Sequence, residues 1–284
     1  MKKGIIILSV LSLFFLVSCS NTSNIEVDVD NYDAIQARGT IIVGLECAYA
    51  PFNWTVEAAN ASSIASLIDG TSNYCDGYDI QIAQAIADGL GVDLILKAVE
   101  WDGLIPSLAE SAQIDLIIAG MSPTAERALT VSFSDEYYNS THVVLIRSDS
   151  EYASATSIAD FIGADVVGQM STIYDDLIDQ MSGANHVNPL GDVPTIVTGI
   201  NSGTYDATVL ELPVAIAICQ SNPDLSYIQF TSGNGFEVSY EDSAVSIATR
   251  QGDVTLLARI NEILATISSD QREAWMVEAI DRQP

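Results

Sequence analysis

Positive charge is scarce in this chain: 10 Lys and Arg stand against 38 Asp and Glu, a formal net charge of -28 over 284 residues. So acidic a surface repels a phosphate backbone, which excludes nucleic acid as a partner. Histidine is nearly missing, with His142 and His186 alone, and the four cysteines (Cys19, Cys47, Cys75, Cys219) form no Cys-x-x-Cys. No zinc-ligand set can be drawn from these, and neither a metal nor a cofactor is expected. Beyond residue 17 no apolar run approaches the length of a membrane span. What is present is 48% hydrophobic residues, ample for a buried core in one or two domains.

Met1-Lys2-Lys3 is a basic start, and residues 4–17 are apolar and uncharged but short for a span, the pattern of an export signal. It ends in Leu16-Val17-Ser18-Cys19, which resembles the lipobox of bacterial lipoproteins and implies cleavage before Cys19 and its lipidation. The bulk of the chain would then stay in water, tethered outside the cytoplasm by lipid. Residues 20–37 open with a run rich in Ser, Asn and Asp and are expected to be a flexible linker. Export permits a disulfide, for which Cys47 with Cys75 is the one pair considered; two buried free thiols are as open a reading.

The chain is organised around Ile114-Asp115-Leu116-Ile117-Ile118-Ala119 and the turn Gly120-Met121-Ser122-Pro123-Thr124-Ala125-Glu126-Arg127. The first six residues are β-branched and apolar on both faces, as in a strand buried on both sides of a parallel sheet. Thr124 is placed to cap a short helix with Arg127 in its first turn. A strand end, free amides, the Ser122 hydroxyl and a guanidinium then converge, which makes a seat for a carboxylate or phosphate.

Strand and helix alternate on either side. Residues 40–46 read as a strand and 53–76 as an inserted loop or extended hairpin. Asp79 reads as the cap of a helix bearing Ile82, Ile86 and Leu90; residues 92–99 follow as a strand, and a helix opens at Trp101. Residues 142–146 are expected to cross into a second lobe that repeats this grammar, with strands at 166–169, 205–211 and 225–230. Its helices lie at 172–181, after Asp192, and from Pro213. Residues 243–249 cross back, and two C-terminal helices are expected to pack on the first lobe. The expected class is α/β, two parallel-sheet lobes (38–143 with 240–284, and 144–239) joined by two hinge strands. Ligands of open parallel sheets sit beyond the carboxyl ends of strands. Those ends deliver Glu46, Trp101, Ser122, Gln169 and Glu211, and no histidine is expected at a strand end in the cleft.

Residues 120–127, together with Phe133-Ser134-Asp135-Glu136-Tyr137-Tyr138, resemble the signature of the extracellular solute-binding proteins, family 3, which deliver polar amino acids to ABC importers. The resemblance runs over residues 39–280 and implies the type II periplasmic-binding-protein fold. It further implies that Ser122 and Arg127 hold the ligand's α-carboxylate, with the Gly120 carbonyl beside them, and that Glu211, where the family more often has aspartate, holds the ammonium. Thr172 matches a hydroxyl residue usually preceded by glycine, where this chain has Ser171. The turn after the first strand would give the acid Glu46 and the aromatic Tyr49. Tyr49 and Trp101 would line the ligand's stem, and Glu46, with Gln169 in reach, would meet its far end. A buried carboxylate without a partner is costly, so such a pocket should prefer a ligand carrying positive charge there. The expected partners are a free amino acid, arginine or lysine over glutamine, and ABC permease subunits, with the protein a lipid-anchored monomer. No catalytic step is expected. A dehydratase on the same fold and an adhesive lipoprotein are the rival classes; the first needs an acid or base free to move protons, and the second would take up no amino acid.

Overall fold

The computed structural model describes residues 30–283. The expected export signal, Cys19 and residues 20–29 lie outside the described residues. The rest of the expected linker is not one: Tyr32–Arg38 is a helix, α1, closed by Gly39 in the left-handed region (φ 73). Its Ile35 is wholly buried. The polar residues that read as a leash are used as fasteners, since Asn31 donates its side-chain amide to Asp115 Oδ1 (2.7 Å) and its backbone N–H to Asp253 Oδ1 (2.9 Å).

From there the chain forms β1 (Thr40–Leu45), β2 (Ala48–Tyr49), β3 (Asn53–Glu57), β4 (Ser66–Leu67), β5 (Asn73–Asp76), α2 (Tyr78–Leu90), β6 (Asp93–Ala98), α3 (Leu104–Ala109), β7 (Leu116–Ile117) and β8 (Val131–Asn139). It crosses to β9 (His142–Arg147), β10 (Asp165–Val166), α4 (Ile173–Leu177), β11 (Asn185–His186), α5 (Val193–Ser202), β12 (Ala207–Glu211), α6 (Leu212–Ser221) and β13 (Leu225–Ile228). It returns through α7 (Tyr240–Ser243), β14 (Ala244–Arg250), α8 (Val254–Leu264) and α9 (Ser269–Arg282). Two five-stranded sheets result, ordered β6-β1-β7-β14-β8 and β11-β10-β12-β9-β13, each the centre of a lobe in a type II fold.

The sheets are mixed rather than all parallel. Within each, four strands run in one direction and a single strand runs against them, β14 in the first sheet and β9 in the second. The reason is topological: β9 and β14 are the first strands after a crossing, so each starts at the cleft and runs opposite to the strands that end there. Ser140 N–H donates to the Ser243 carbonyl (3.1 Å), so the two crossings lie side by side.

Residues 114–119 are buried throughout, and they run along β1, where Asp115 N–H donates to the Ile42 carbonyl (2.7 Å) and Ile118 N–H to the Gly44 carbonyl (3.2 Å) on either side of the short strand Leu116–Ile117. Residues 53–76 form an extended hairpin whose strands build a small sheet, β2-β3-β5-β4. A Cys47–Cys75 disulfide (Cα–Cα 5.8 Å) ties it to the turn after β1, which decides between the two cysteine readings. Asp79 is not a cap. Gly77 holds that position, reaching φ 138 where a Cβ would strike the Phe52 carbonyl, and Asp79 is turned inward and fully buried. The second lobe keeps more of its local signals: Asp192 caps α5 by accepting from Thr195 N–H (2.7 Å), and Pro213 sits in the first turn of α6. Of the C-terminal helices, α8 packs on the first lobe against β8 and α2, whereas α9 touches both α2 and α6 and so spans the two lobes. Among the described residues no helix is long and apolar enough to cross a membrane.

Candidate ligand-binding cleft

The first lobe's wall is built by two loops at the ends of β1 and β7. After Glu46 the backbone takes a left-handed step at Cys47 (φ 56), which swings Tyr49 inward to lie parallel to Phe52 (centroids 5.7 Å apart). Tyr49 then covers Gly120, whose φ of +62 and lack of a Cβ, which would sit 3.1 Å from the Tyr49 ring, both call for glycine. Thr124 accepts from Arg127 N–H (3.3 Å), though what it starts is a single 3-10 turn, Arg127–Leu129. The Arg127 guanidinium donates to the Ser122 carbonyl (2.9 Å) and lies 5.1 Å over the Trp101 ring.

The second lobe meets these groups directly. Tyr49 donates its hydroxyl to Glu211 Oε1 (2.7 Å), as does Tyr174 from α4 (3.0 Å). Burial pushes the Glu211 carboxyl up to about 7, against the pull of the two hydroxyls. Gln169 donates its amide to both Glu46 oxygens (3.2 and 3.4 Å) and to the Gly191 carbonyl (3.1 Å). Glu46 is likewise pushed up to about 7 by burial, with Asp192, Glu100 and Asp102 adding to it and Gln169 opposing. Thr172 donates to the Gln169 carbonyl (2.7 Å). The Ser171 carbonyl accepts from Arg127 Nη2 (3.0 Å) and Trp101 Nε1 (3.1 Å). Ser171 holds φ 60, the conformation glycine adopts freely, at a cost of about 1–2 kcal/mol for an L residue.

A small cavity of about 10 Å³ lies between the closely apposed lobes, lined by Glu46, Tyr49, Trp101, Gly120, Ser122, Arg127, Gln169 and Thr172, together with Ile173 and Tyr174. The ninth expected residue, Glu211, is joined to it through the Tyr49 and Tyr174 hydroxyls. All nine thus come together. Trp101, placed by sequence on the ligand's stem, stacks on Arg127 at the cavity's edge. Sequence reasoning missed Tyr174, because its helix was read for its apolar residues alone; the signal was a hydroxyl-bearing aromatic two residues after Thr172. It also missed the Ser171 carbonyl, a backbone group that no side chain announces. No histidine lines the cavity among the described residues, but His142, the first residue of β9, stands directly opposite Glu211 with its ring 5.6 Å from Tyr174. Burial pulls it down to about 4, so at neutral pH it is uncharged.

The arrangement sets the Arg127 cation and the Glu46 carboxylate on the cavity wall and a second carboxylate, Glu211, on the opposite lobe behind two tyrosine hydroxyls. Such a site suits a small molecule bearing both signs of charge. Residues 41–278 match the bacterial extracellular solute-binding proteins, family 3. The chain belongs to this family. It is 28% identical over 236 residues to the L-cystine-binding protein TcyJ of Escherichia coli (strain K12), covering 83% of this chain and 80% of that one. With the arginine-binding extracellular protein ArtP of Bacillus subtilis (strain 168) it shares 26% identity over 269 residues, 93% of this chain and 92% of the relative. The arginine-bound form of a truncated ArgBP from T. maritima superposes with a TM-score of 0.68 at 32% identity, covering 83% of this chain and all of the other. Membership of a family of extracellular solute-binding proteins disfavours the dehydratase reading.

Proposed function

We propose that this protein captures a free cationic L-amino acid, arginine or lysine, and delivers it to the permease subunits of an ABC transporter from a lipid anchor at Cys19. The observation that carries the reading is the charge layout: Arg127 with Ser122 and Glu46 on the walls of one cavity, and Glu211 on the other lobe directly behind the Tyr49 and Tyr174 hydroxyls that line it. A zwitterion satisfies Arg127 and Glu211, its carboxylate on the guanidinium and its ammonium on the buried carboxylate. Glu46 asks for a second positive charge. Each contact is fully desolvated only when the lobes meet, so binding energy favours closure. A planar guanidinium fits Glu46 and the aromatic lining better than an ammonium does. Glutamine is the second reading, because the Glu46–Gln169 pair could instead take an amide.

Calorimetric titration of the protein with each standard amino acid tests this. Stoichiometric binding without chemical conversion supports it; turnover would return the enzyme reading, and failure to bind any amino acid the adhesive one.

A further inference from the structure

Asp79 is wholly buried, and its side chain reaches neither solvent nor the cavity. Its two oxygens are divided. Oδ2 accepts from Asn53 Nδ2 (2.8 Å), and Asn53 Oδ1 accepts from Cys47 N–H (2.7 Å). Oδ1 accepts from the Tyr137 hydroxyl (2.7 Å), whose oxygen accepts from Gly120 N–H (3.2 Å). Tyr137 is anchored in turn, its carbonyl accepting from the Tyr78 hydroxyl (2.8 Å). Asn53 and Tyr137 are also wholly buried. One carboxylate in the first turn of α2 thus grips the residue after Glu46 with one oxygen and the residue before Met121 and Ser122 with the other. Among the described residues no basic side chain pairs with it, and burial pushes it up to about 7.

A buried carboxylate without a cation lowers stability relative to an apolar replacement, so packing alone does not account for it. Both loops it holds take left-handed steps, at Cys47 and Gly120, and each carries part of the first lobe's wall. Taking the cleft as the amino-acid site, we propose that Asp79, Asn53 and Tyr137 are positioning residues of that site, fixing the Glu46–Tyr49 loop and the Gly120–Ser122 loop relative to one another. The chain of donors and acceptors runs in one sense only, from two backbone amides toward one carboxylate. That polarity makes it testable.

In Asp79→Asn the new amide puts a donor against either the Asn53 amide or the Tyr137 hydroxyl. In Asn53→Asp two carboxylates face each other. In the double variant Asn53→Asp with Asp79→Asn every bond returns. The carboxylate introduced at position 53 would accept from Cys47 N–H and from the amide introduced at position 79, and the carbonyl of that amide would accept from Tyr137. Calorimetry with arginine and lysine, alongside thermal melting of the ligand-free protein, reads both roles. Each single variant is expected to lose about tenfold or more in affinity at a temperature where it is folded, and the double variant to recover to within about threefold of wild type. Tyr137→Phe, which keeps the ring and cuts only the Gly120 arm, covers the case in which a single variant does not fold, with an expected loss of about five- to tenfold. Wild-type affinity in Tyr137→Phe, or a double variant no better than the singles, overturns the inference. A wild type that binds no amino acid would overturn the functional reading itself, which is a separate outcome.

Discussion

Replacing Glu46 by glutamine keeps the shape of the side chain and an acceptor for the Gln169 amide, and removes only the charge. If a ligand guanidinium stands about 4 Å from this carboxylate, the Coulomb attraction at an effective dielectric of about 20 is about 4 kcal/mol. Part of that replaces hydration lost by both groups, leaving about 2–3 kcal/mol, or roughly a 30- to 150-fold weaker Kd for arginine. Glutamine, with no charge there, should change by less than about threefold. The pH dependence supplies an internal check. Burial holds Glu46 near 7 without ligand, and a bound cation lowers it, so binding releases a proton. Affinity should therefore fall by about tenfold per pH unit, for each carboxyl that must ionise, as pH drops below about 7. Glu211, also near 7, contributes in the same direction, so Glu46→Gln should flatten the profile without abolishing it. Competition binding of arginine, lysine and glutamine across this range is the assay. Arginine affinity within about threefold of wild type in Glu46→Gln, with an unchanged profile, would refute the reasoning.

Arg127→Ala should abolish measurable binding of every amino acid, a loss of about 2–5 kcal/mol, while circular dichroism stays native, because the guanidinium's protein contacts are two backbone carbonyls and the Trp101 face. Arginine should lower the radius of gyration in solution scattering by closing the lobes about the paired crossings at Ser140 and Ser243; an unchanged radius contradicts hinge closure. Cys47→Ser with Cys75→Ser opens a loop of sequence separation 28 and should cost about 3–4 kcal/mol in denaturant unfolding on the chain-entropy account, with a loss below about 1 kcal/mol counting against it.

The fold was legible where the chain speaks in periodic apolar patterns. Residues 114–119, the helix bearing Ile82 and Ile86, and the Asp192 cap all stand where their chemistry points. Legibility ended where a polar residue had two uses. Asp79 near a helix start looks the same from sequence whether it caps or turns inward, and only the third-dimensional proximity of Asn53 and Tyr137 decides. Asn31 resembles a linker residue until Asp115 and Asp253 come to meet it. The nine candidate residues converge because strand ends define one crevice, but which groups touch across it depends on how the lobes meet. Hence the Ser171 carbonyl and His142 beside Glu211 were out of reach, while Tyr174 was signalled only by its hydroxyl-bearing ring two residues after Thr172. The antiparallel strands at the crossings were missed for a related reason, since strand direction is a property of the path between lobes and not of the strand's own residues.

The most direct test of the central claim is a calorimetric comparison of arginine, lysine, glutamine and cystine on the same preparation of wild-type protein at neutral pH. The charge layout of Arg127, Glu211 and Glu46 predicts arginine first, lysine next, and glutamine and cystine at least about tenfold weaker. Tightest binding of glutamine or cystine would contradict it.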